Sequence, residues 1–272
     1  MSINRQLLRW LGILKWSCVL APAVSLGMGL SAQTPKSRFE VASVKRNLLG
    51  PRSVPSLPSQ VRPGGMFVVT NQVLDKLVAF AYSVDDFRLI GGPAWIREEQ
   101  TRFDVNAKVT ANVSNEQLRL MMRSVLEDRF ALVTHREQRE MPVYSLVLAR
   151  DDGRLGSGLQ RVDECPEKPP TLANGSTLYS CGPISVAARI ASRSLGLTVV
   201  DKTGLNGTFT VAVYFSTEGV RSLFGPMFTP PADPNLPSFR DALRDQLGLR
   251  LDAGRGSVDV LVIDSVQQPT ED

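Results

Sequence analysis

Residues 114–150 constrain the fold more than any other stretch, because a helical pattern there passes directly into a strand pattern. Apolar residues recur at helical spacing from Leu118 to Leu126, which places them on one face of an amphipathic helix. Ser114 is a favoured N-cap residue, and Gln117 stands three positions later as in a capping box. The sequence therefore predicts a helix that begins after Ser114 and ends near Phe130.

The residues beyond that helix are typical of β-strands. They are β-branched and aromatic, as suits a pleated and half-buried surface. The charged run at residues 136–140 predicts either a solvated turn between two strands or an exposed strand end. Pro142 has no amide to donate to a sheet, so it favours the start of the second strand or a sheet edge.

A shorter copy of this pattern closes the chain at residues 238–266. Residues 243–249 repeat the pattern of residues 126–132, and residues 258–263 repeat that of residues 143–148. The elements upstream of the two copies also match in order. The sequence thus predicts an α+β fold made by tandem duplication of a β-α-β-β-α-β-β unit, with two helices packed on a small sheet in each unit.

The rest of the chain is divided by its turn residues. Residues 102–109 alternate between apolar and polar, which predicts a half-buried strand, and Arg255-Gly256 is a candidate hairpin tip. The predicted segments are a signal peptide at 1–32, an N-terminal strand and Pro-rich loop at 33–65, a first unit at 66–150, a linker at 151–181, and a second unit at 182–272 with an insertion at 216–237.

Residues 1–32 have the pattern of an export signal. Arg5, Arg9 and Lys15 precede an apolar run at residues 16–30, and small residues follow it. We expect cleavage after Ala32. The alternative is a retained N-terminal anchor, although the run is shorter than the roughly 20 apolar residues of a membrane span. No later segment is apolar enough to span a membrane.

The net charge argues against a nucleic-acid partner once the signal is removed. The chain has 31 Lys+Arg and 27 Asp+Glu, a net charge of +4. Removing the three cations of residues 1–32 leaves 28 against 27, a net charge of +1. No basic face remains to bind nucleic acid.

Cys165 and Cys181 are the cysteines that remain after signal removal. In an exported protein an even pair predicts a disulfide. The alternative is a redox or metal pair. Against it, the chain has no Cys-x-x-Cys motif and has a single histidine.

Several short motifs are spread over nearly all of the chain after the signal: residues 39–45, 91–95, 102–105, 128–132, 135–137, 142–144, 200–205 and 260–264. In these motifs the sequence resembles a family of secreted, uncharacterised proteins known as soil-associated proteins of Acidobacteria. The resemblance implies no activity, ligand, cofactor or catalytic residue.

Each unit also resembles the small signalling domain at the N-terminus of TonB-dependent outer-membrane receptors and secretins. Residues 187–200, 207–211 and 239–249 follow the β-α-β/β-α-β plan of that domain. The resemblance implies a periplasmic protein partner. The insertion at 216–237 departs from the plan, so the partner surface of those domains is not carried over.

Catalytic and metal-binding residues are not indicated by any motif. His135 is the single histidine and lies in a predicted strand, which favours a surface or structural role. Asp201-Lys202-Thr203-Gly204 combines reactive groups, but it is more typical of a turn. A carboxylate pair made by Asp104 with Glu127 or Asp128 would suit a glycosidase, but solvated charges on a wet strand face and at a helix end explain these residues better.

Three aromatic residues are candidate partner contacts. Trp95 follows Gly91-Gly92-Pro93, and it suits either an exposed recognition loop or a lid over the end of the sheet. Phe224 and Phe228 lie in the Pro-rich insertion. They suit either a partner contact or packing against their own unit.

These patterns favour a secreted or periplasmic, non-catalytic interaction module of the cell envelope, with no cofactor. Its mechanism would be surface recognition, such as strand addition at an exposed sheet edge. The alternatives are a hydrolase of envelope or extracellular polymers that works through carboxylates, and a structural envelope protein. A cleft holding two carboxylates with raised pKa values would favour the hydrolase.

Overall fold

The structure is a computed structural model that describes residues 37–48, 57–109, 113–167, 177–221 and 233–269. All of them lie in one unit, Lys36–Asp272. The strands in the described residues are β1 (Val41–Asn47), β2 (Leu57–Arg62), β3 (Met66–Val73), β4 (Leu89–Gly91), β5 (Arg102–Lys108), β6 (Val133–Leu148), β7 (Leu159–Val162), β8 (Thr177–Gly182), β9 (Thr198–Asp201), β10 (Thr208–Tyr214) and β11 (Leu249–Ser265). The helices there are α1 (Leu74–Tyr82), α2 (Asn115–Phe130), α3 (Ile184–Leu195) and α4 (Phe239–Ala242), which continues as a π-helical turn (Leu243–Leu247).

Helix α2 forms as its sequence predicts. Ser114 Oγ accepts from the amide of Gln117, and the Gln117 side chain accepts from the amide of Ser114, so the capping box is complete. The apolar stripe, which includes Leu118, Met122 and Leu126, is buried. Ala131 ends the helix in the left-handed region.

The two longest strands, β6 and β11, pair antiparallel over their whole lengths and form the middle of the molecule. β4 adds to β11 and β9 adds to β6, both in parallel, giving the order β4-β11-β6-β9. The first half of the chain thus supplies β4 and β6, and the second half supplies β9 and β11. Each half runs β-α-β-β-α-β, from β3 to β6 and from β8 to β11.

This middle sheet differs from two sequence predictions. The halves do not each keep a complete sheet of their own, because the middle sheet takes strands from both. A turn at residues 136–140, one of the two alternatives there, is wrong, and so is the hairpin tip at Arg255-Gly256, since both segments lie inside continuous strands. Charged side chains are accommodated there because the ladder between β6 and β11 satisfies the backbone while the side chains remain in water.

Two further sheets, one from each half, flank the middle sheet in the part of the chain that the structure describes. Their orders are β1-β5-β3-β2 and β7-β10-β8. Residues 151–181, predicted as a linker, contain all of β7 and most of β8. The half-buried strand predicted at residues 102–109 is confirmed as β5, with Phe103, Val105 and Ala107 buried.

The two main cores lie on the same face of the middle sheet. Leu261 and Ile263 of β11 pack into the core of the first half. Leu146 of β6 and Leu249 of β11 pack into the core of the second half. β11 therefore joins both cores, whereas β6 packs into the core of the second half. A small cluster of valines on the other face includes Val143, Val258 and Val260.

Three further features of the fold are local. α1 begins at Leu74, where β3 ends at Val73 after an irregularity that follows Val69. The turn predicted after Asp201 is confirmed, since Asp201 Oδ1 accepts from the amide of Thr203 at 2.9 Å. The disulfide between Cys165 and Cys181 is also confirmed.

Candidate functional site

The hydrogen-bond ladder decides which backbone groups of β6 and β11 face away from the pair. Opposite residues in an antiparallel ladder alternate between hydrogen-bonded pairs and pairs whose amide and carbonyl groups point outward. The amide of Ala149 donates to the carbonyl of Gly248 at 2.8 Å. Counting from that bonded pair, even-numbered residues of β6 and odd-numbered residues of β11 face outward.

Two contacts support this assignment. The outward carbonyl of Leu146 accepts from the amide of Lys202 at 2.9 Å. The outward carbonyl of Asp259 accepts from Nε of Arg88 at 2.8 Å. Beyond the short strands β4 and β9, each long strand keeps a stretch with a neighbour on one side only. We name these stretches the β11 edge (residues 251–257) and the β6 edge (residues 134–142).

The β11 edge is open in the described part of the chain, and four of its seven residues are alanine, glycine or serine. Its outward residues are Leu251, Ala253, Arg255 and Ser257. Their outward backbone groups have no hydrogen-bond partner within the described ranges. Residues 252–255 and 257 are exposed, so an added strand would meet no side-chain cover there.

Two glycines leave the β11 edge bare without any conformational need for glycine. Gly254 and Gly256 have no positive φ. A Cβ on Gly254 would meet nothing within 4 Å, and one on Gly256 would meet Val143 Cγ2 at an ordinary 3.4 Å. Glycine within a strand weakens it and often marks close approach by another chain.

The β6 edge is partly blocked. Pro142 faces outward and has no amide to donate. The outward carbonyl of Glu140 already accepts from Nη2 of Arg255 at 3.2 Å. Arg136, Glu137 and Arg139 add charged side chains along this stretch, a common protection of sheet edges against pairing.

Arg88 occupies the end of the β11 edge that lies next to β4. Its Nε binds the carbonyl of Asp259, and its Nη2 lies 3.6 Å from that residue's carboxylate. Arg136 Nη1 binds the same carboxylate at 2.6 Å. Two guanidinium groups thus surround one carboxylate, which leaves a local excess of positive charge.

Trp95 is partly buried and packs against the core of the first half. Its ring meets Phe103 edge-on, with the centroids 6.5 Å apart. This position gives Trp95 a packing role over the sheet end, and its contact with a partner stays a prediction. Phe224 and Phe228 lie outside the described residues.

His135 lies on the exposed surface of β6 and binds Asp264 at the end of β11. Nδ1 of His135 is 2.9 Å from Asp264 Oδ1, and Nε2 is 3.6 Å from Glu137 Oε2. The hydrogen bond with Asp264 is the largest cause that raises the pKa of His135. The charge of Asp264 and the hydrogen bond with Glu137 act in the same direction. The group joins the two long strands through an exposed ion pair.

The carboxylates considered for acid–base chemistry have separate partners. Asp104 accepts from Nδ2 of Asn47 at 3.1 Å and from the amide of Asn71 at 2.7 Å. Asp128 forms an ion pair with Arg38 at 2.8 Å. These contacts fix β1, the irregular part of β3 and the chain before β1, which is a structural role.

Asp75 and Asp86 are two further carboxylates near the start of the first half. Burial raises the pKa of Asp75, and its Oδ1 has no hydrogen-bond partner in the described part of the chain. Burial also acts to raise the pKa of Asp86, but hydrogen bonds from Lys76 and Arg221 outweigh it and lower that pKa.

The second half has a shallow cleft of about 400 Å³ at the end of the π-helical turn. Arg150 and Arg244 in its wall are paired with Asp152 and Asp245 respectively. The cleft therefore does not combine two unpaired carboxylates. It is lined by Ala149, Arg150, Arg154, Leu155, Gly156, Arg244, Asp245 and Gly248.

A family model described as "Protein of unknown function (DUF3738)" matches residues 75–266. That range is 192 of the 272 residues and includes both long strands. The chain belongs to the DUF3738 family. Comparisons with curated proteins and with solved structures found no match. The prediction that the chain belongs to an uncharacterised family is thereby confirmed.

Within this DUF3738 chain, no helix of the described residues has the length and apolar character needed to cross a membrane. The same residues contain no cluster of three or more His, Cys, Asp or Glu side chains placed to hold a metal ion.

The β11 edge of this DUF3738 protein was missed by the sequence analysis, although its signal is present. Residues 253–257 contain two glycines in alternate positions, and the second of them belongs to Arg255-Gly256, the predicted hairpin tip. These residues form a strand because β6 extends alongside them and pairs with each of them. A glycine pair inside an otherwise strand-like segment is also the pattern of a site of close backbone approach.

Proposed function

We propose that this protein is a non-catalytic interaction module that binds an extended peptide segment of a partner protein by strand addition at the β11 edge. The observation that carries the proposal is the run of outward backbone groups in residues 251–257 that have no partner among the described residues, at a stretch where residues 252–255 and 257 are exposed. An added strand would satisfy them through main-chain hydrogen bonds.

The proposal places the module outside the cytoplasm, secreted or in the periplasm. The disulfide between Cys165 and Cys181 supports this, because disulfides persist in oxidising compartments. We also propose that the two halves arose by duplication of one β-α-β-β-α-β unit. Its support is that β4 and β9, and β6 and β11, hold equivalent places in the middle sheet.

The test is selection of peptides from a random displayed library on the purified protein, followed by binding to a proline variant. Ala253→Pro removes one outward amide of the β11 edge, and proline is tolerated at sheet edges. We expect peptide affinity to fall by about tenfold or more, since a buried backbone donor is lost. On binding, the amides of Leu251, Ala253, Arg255 and Ser257 should gain protection from hydrogen exchange.

Thr134→Pro is the matched control, because Thr134 faces outward on the β6 edge and pairs with Ile263, beyond residues 251–257. It should leave peptide affinity unchanged. Equal losses in both variants, with unfolding midpoints equal to that of the parent protein, would contradict binding at the β11 edge. Recovery of no peptide at all would contradict the proposed function itself.

A further inference from the structure

The β11 edge has a direction, which is set by β4. β4 runs parallel to β11 and pairs with it from Leu261 to Ile263. A peptide on the same edge lies beside residues 251–257 and stops where Arg88 and β4 begin. If it runs parallel to β11, its C-terminal end meets Arg88. If it runs antiparallel, its N-terminal end does.

The charge at that end distinguishes the two directions. Arg88 uses Nε and Nη2 for the carbonyl of Asp259, and its Nη1 makes no hydrogen bond to any residue in the described ranges. Arg136 already binds the carboxylate of Asp259, so the positive charge there exceeds the negative. A free carboxylate would be stabilised at this place, and a free α-ammonium group would be repelled.

We propose that the β11 edge takes the C-terminal segment of its partner, running parallel to β11, with the terminal carboxylate bound by Arg88. This rests on the proposed function and adds the chemistry of the ligand. The guanidinium offers donors in a fixed fork that suits a carboxylate. Capture of a chain terminus together with strand addition gives both register and direction to the added peptide.

Two displayed libraries test this proposal, one with free peptide C-termini and one with C-termini fused to the carrier. Peptides selected from the first are synthesised as the free acid and as the C-terminal amide. We expect the free acid to bind about tenfold more tightly than the amide, as for a hydrogen bond to a charged group. Arg88→Gln should abolish this difference, and Arg88→Lys should retain part of it.

Arg38→Gln is the control, because it removes an arginine of the same half that pairs with Asp128 away from the edge. It should preserve the preference for the acid. A spin label at the peptide N-terminus should broaden the amide signal of Leu251 more than that of Ser257. Broadening of Ser257 instead would overturn the parallel direction.

The outcomes separate the two proposals. Equal affinity of acid and amide, together with sensitivity to Ala253→Pro, would overturn carboxylate capture and leave strand addition standing. Selection of no peptide from either library would overturn both. A preference for the acid that survives Arg88→Gln would also overturn the role of Arg88.

Discussion

The β11 edge and the β6 edge hold equivalent places in the middle sheet, yet their chemistry is opposite. Each lies beyond a short parallel strand, β4 or β9. The β6 edge ends at Pro142 and has one carbonyl occupied by Arg255. The β11 edge is bare, with Gly254 and Gly256 at alternate positions. Because both edges lie beside a short parallel strand in the same sheet, the position in the fold does not explain why one edge is protected and the other is open. The residues of each edge explain it.

Protection of sheet edges is the usual condition in soluble proteins, because an exposed ladder invites pairing with other chains. The β6 edge follows this rule. The β11 edge departs from it over residues 251–257. A departure on one of two equivalent edges is more informative than an open edge alone, because the other edge shows how the same position can be closed.

The largest expected effect tests whether the two long strands are equivalent supports. Leu146 of β6 and Leu261 of β11 are each 1% exposed and lie in different cores. Leu146→Ala and Leu261→Ala should each lower the free energy of unfolding by about 2–5 kcal/mol. Because the middle sheet joins the cores, urea unfolding followed by tryptophan fluorescence and by circular dichroism should show one coincident transition. Two separate transitions would break the equivalence.

The next effect tests how much the disulfide, which lies in the second half of the chain, contributes to stability. Cys165 and Cys181 are 16 positions apart. Replacing both by serine should lower the free energy of unfolding by about 3 kcal/mol, because the unfolded chain gains freedom. Urea unfolding of the variant and of the oxidised parent measures this. A loss within the error of the measurement would mean that the segment is held by other contacts.

A third and smaller effect tests whether the β11 edge is kept bare at the expense of stability. Gly254→Ala should raise the free energy of unfolding by about 0.5–1 kcal/mol, because glycine costs backbone entropy in a strand. The thermal midpoint should rise accordingly. Gly153→Ala is the matched control: it also has open space, but its φ is +69°, so alanine should destabilise there.

A lower midpoint for Gly254→Ala would contradict this account, since it would show that glycine is required at that position by the fold. Gly153→Ala should shift the midpoint in the opposite direction. The two variants therefore distinguish Gly153, whose positive φ favours glycine, from Gly254, whose backbone conformation any residue can adopt.

Much of the fold was predictable because its signals are local. Capping of α2 by Ser114, the alternation of β5 and the pairing of Cys165 with Cys181 depend on neighbouring residues or on composition. The pairing of β4 with β11 and of β9 with β6 joins strands from different halves of the chain. It was not predictable, because it depends on contacts between residues far apart in the sequence. Both candidate edges follow from that pairing. Arg88 acquires its position only through a contact with Asp259, 171 residues away.

The smallest effect concerns the ion pair between His135 of the β6 edge and Asp264 of β11. The hydrogen bond to Asp264 raises the pKa of His135 in the folded state. The stabilising contribution of this pair is therefore fully present below the unfolded-state pKa of about 6.5 and is lost as pH rises through the folded-state pKa. Since the chain has one histidine, its ring signals in an NMR titration are unambiguous. Asp264→Asn should lower the measured pKa, while Asp252→Asn, which removes a carboxylate paired with Arg250, should leave it unchanged. A pKa unaffected by Asp264→Asn would show that the two long strands are not joined by this pair in solution.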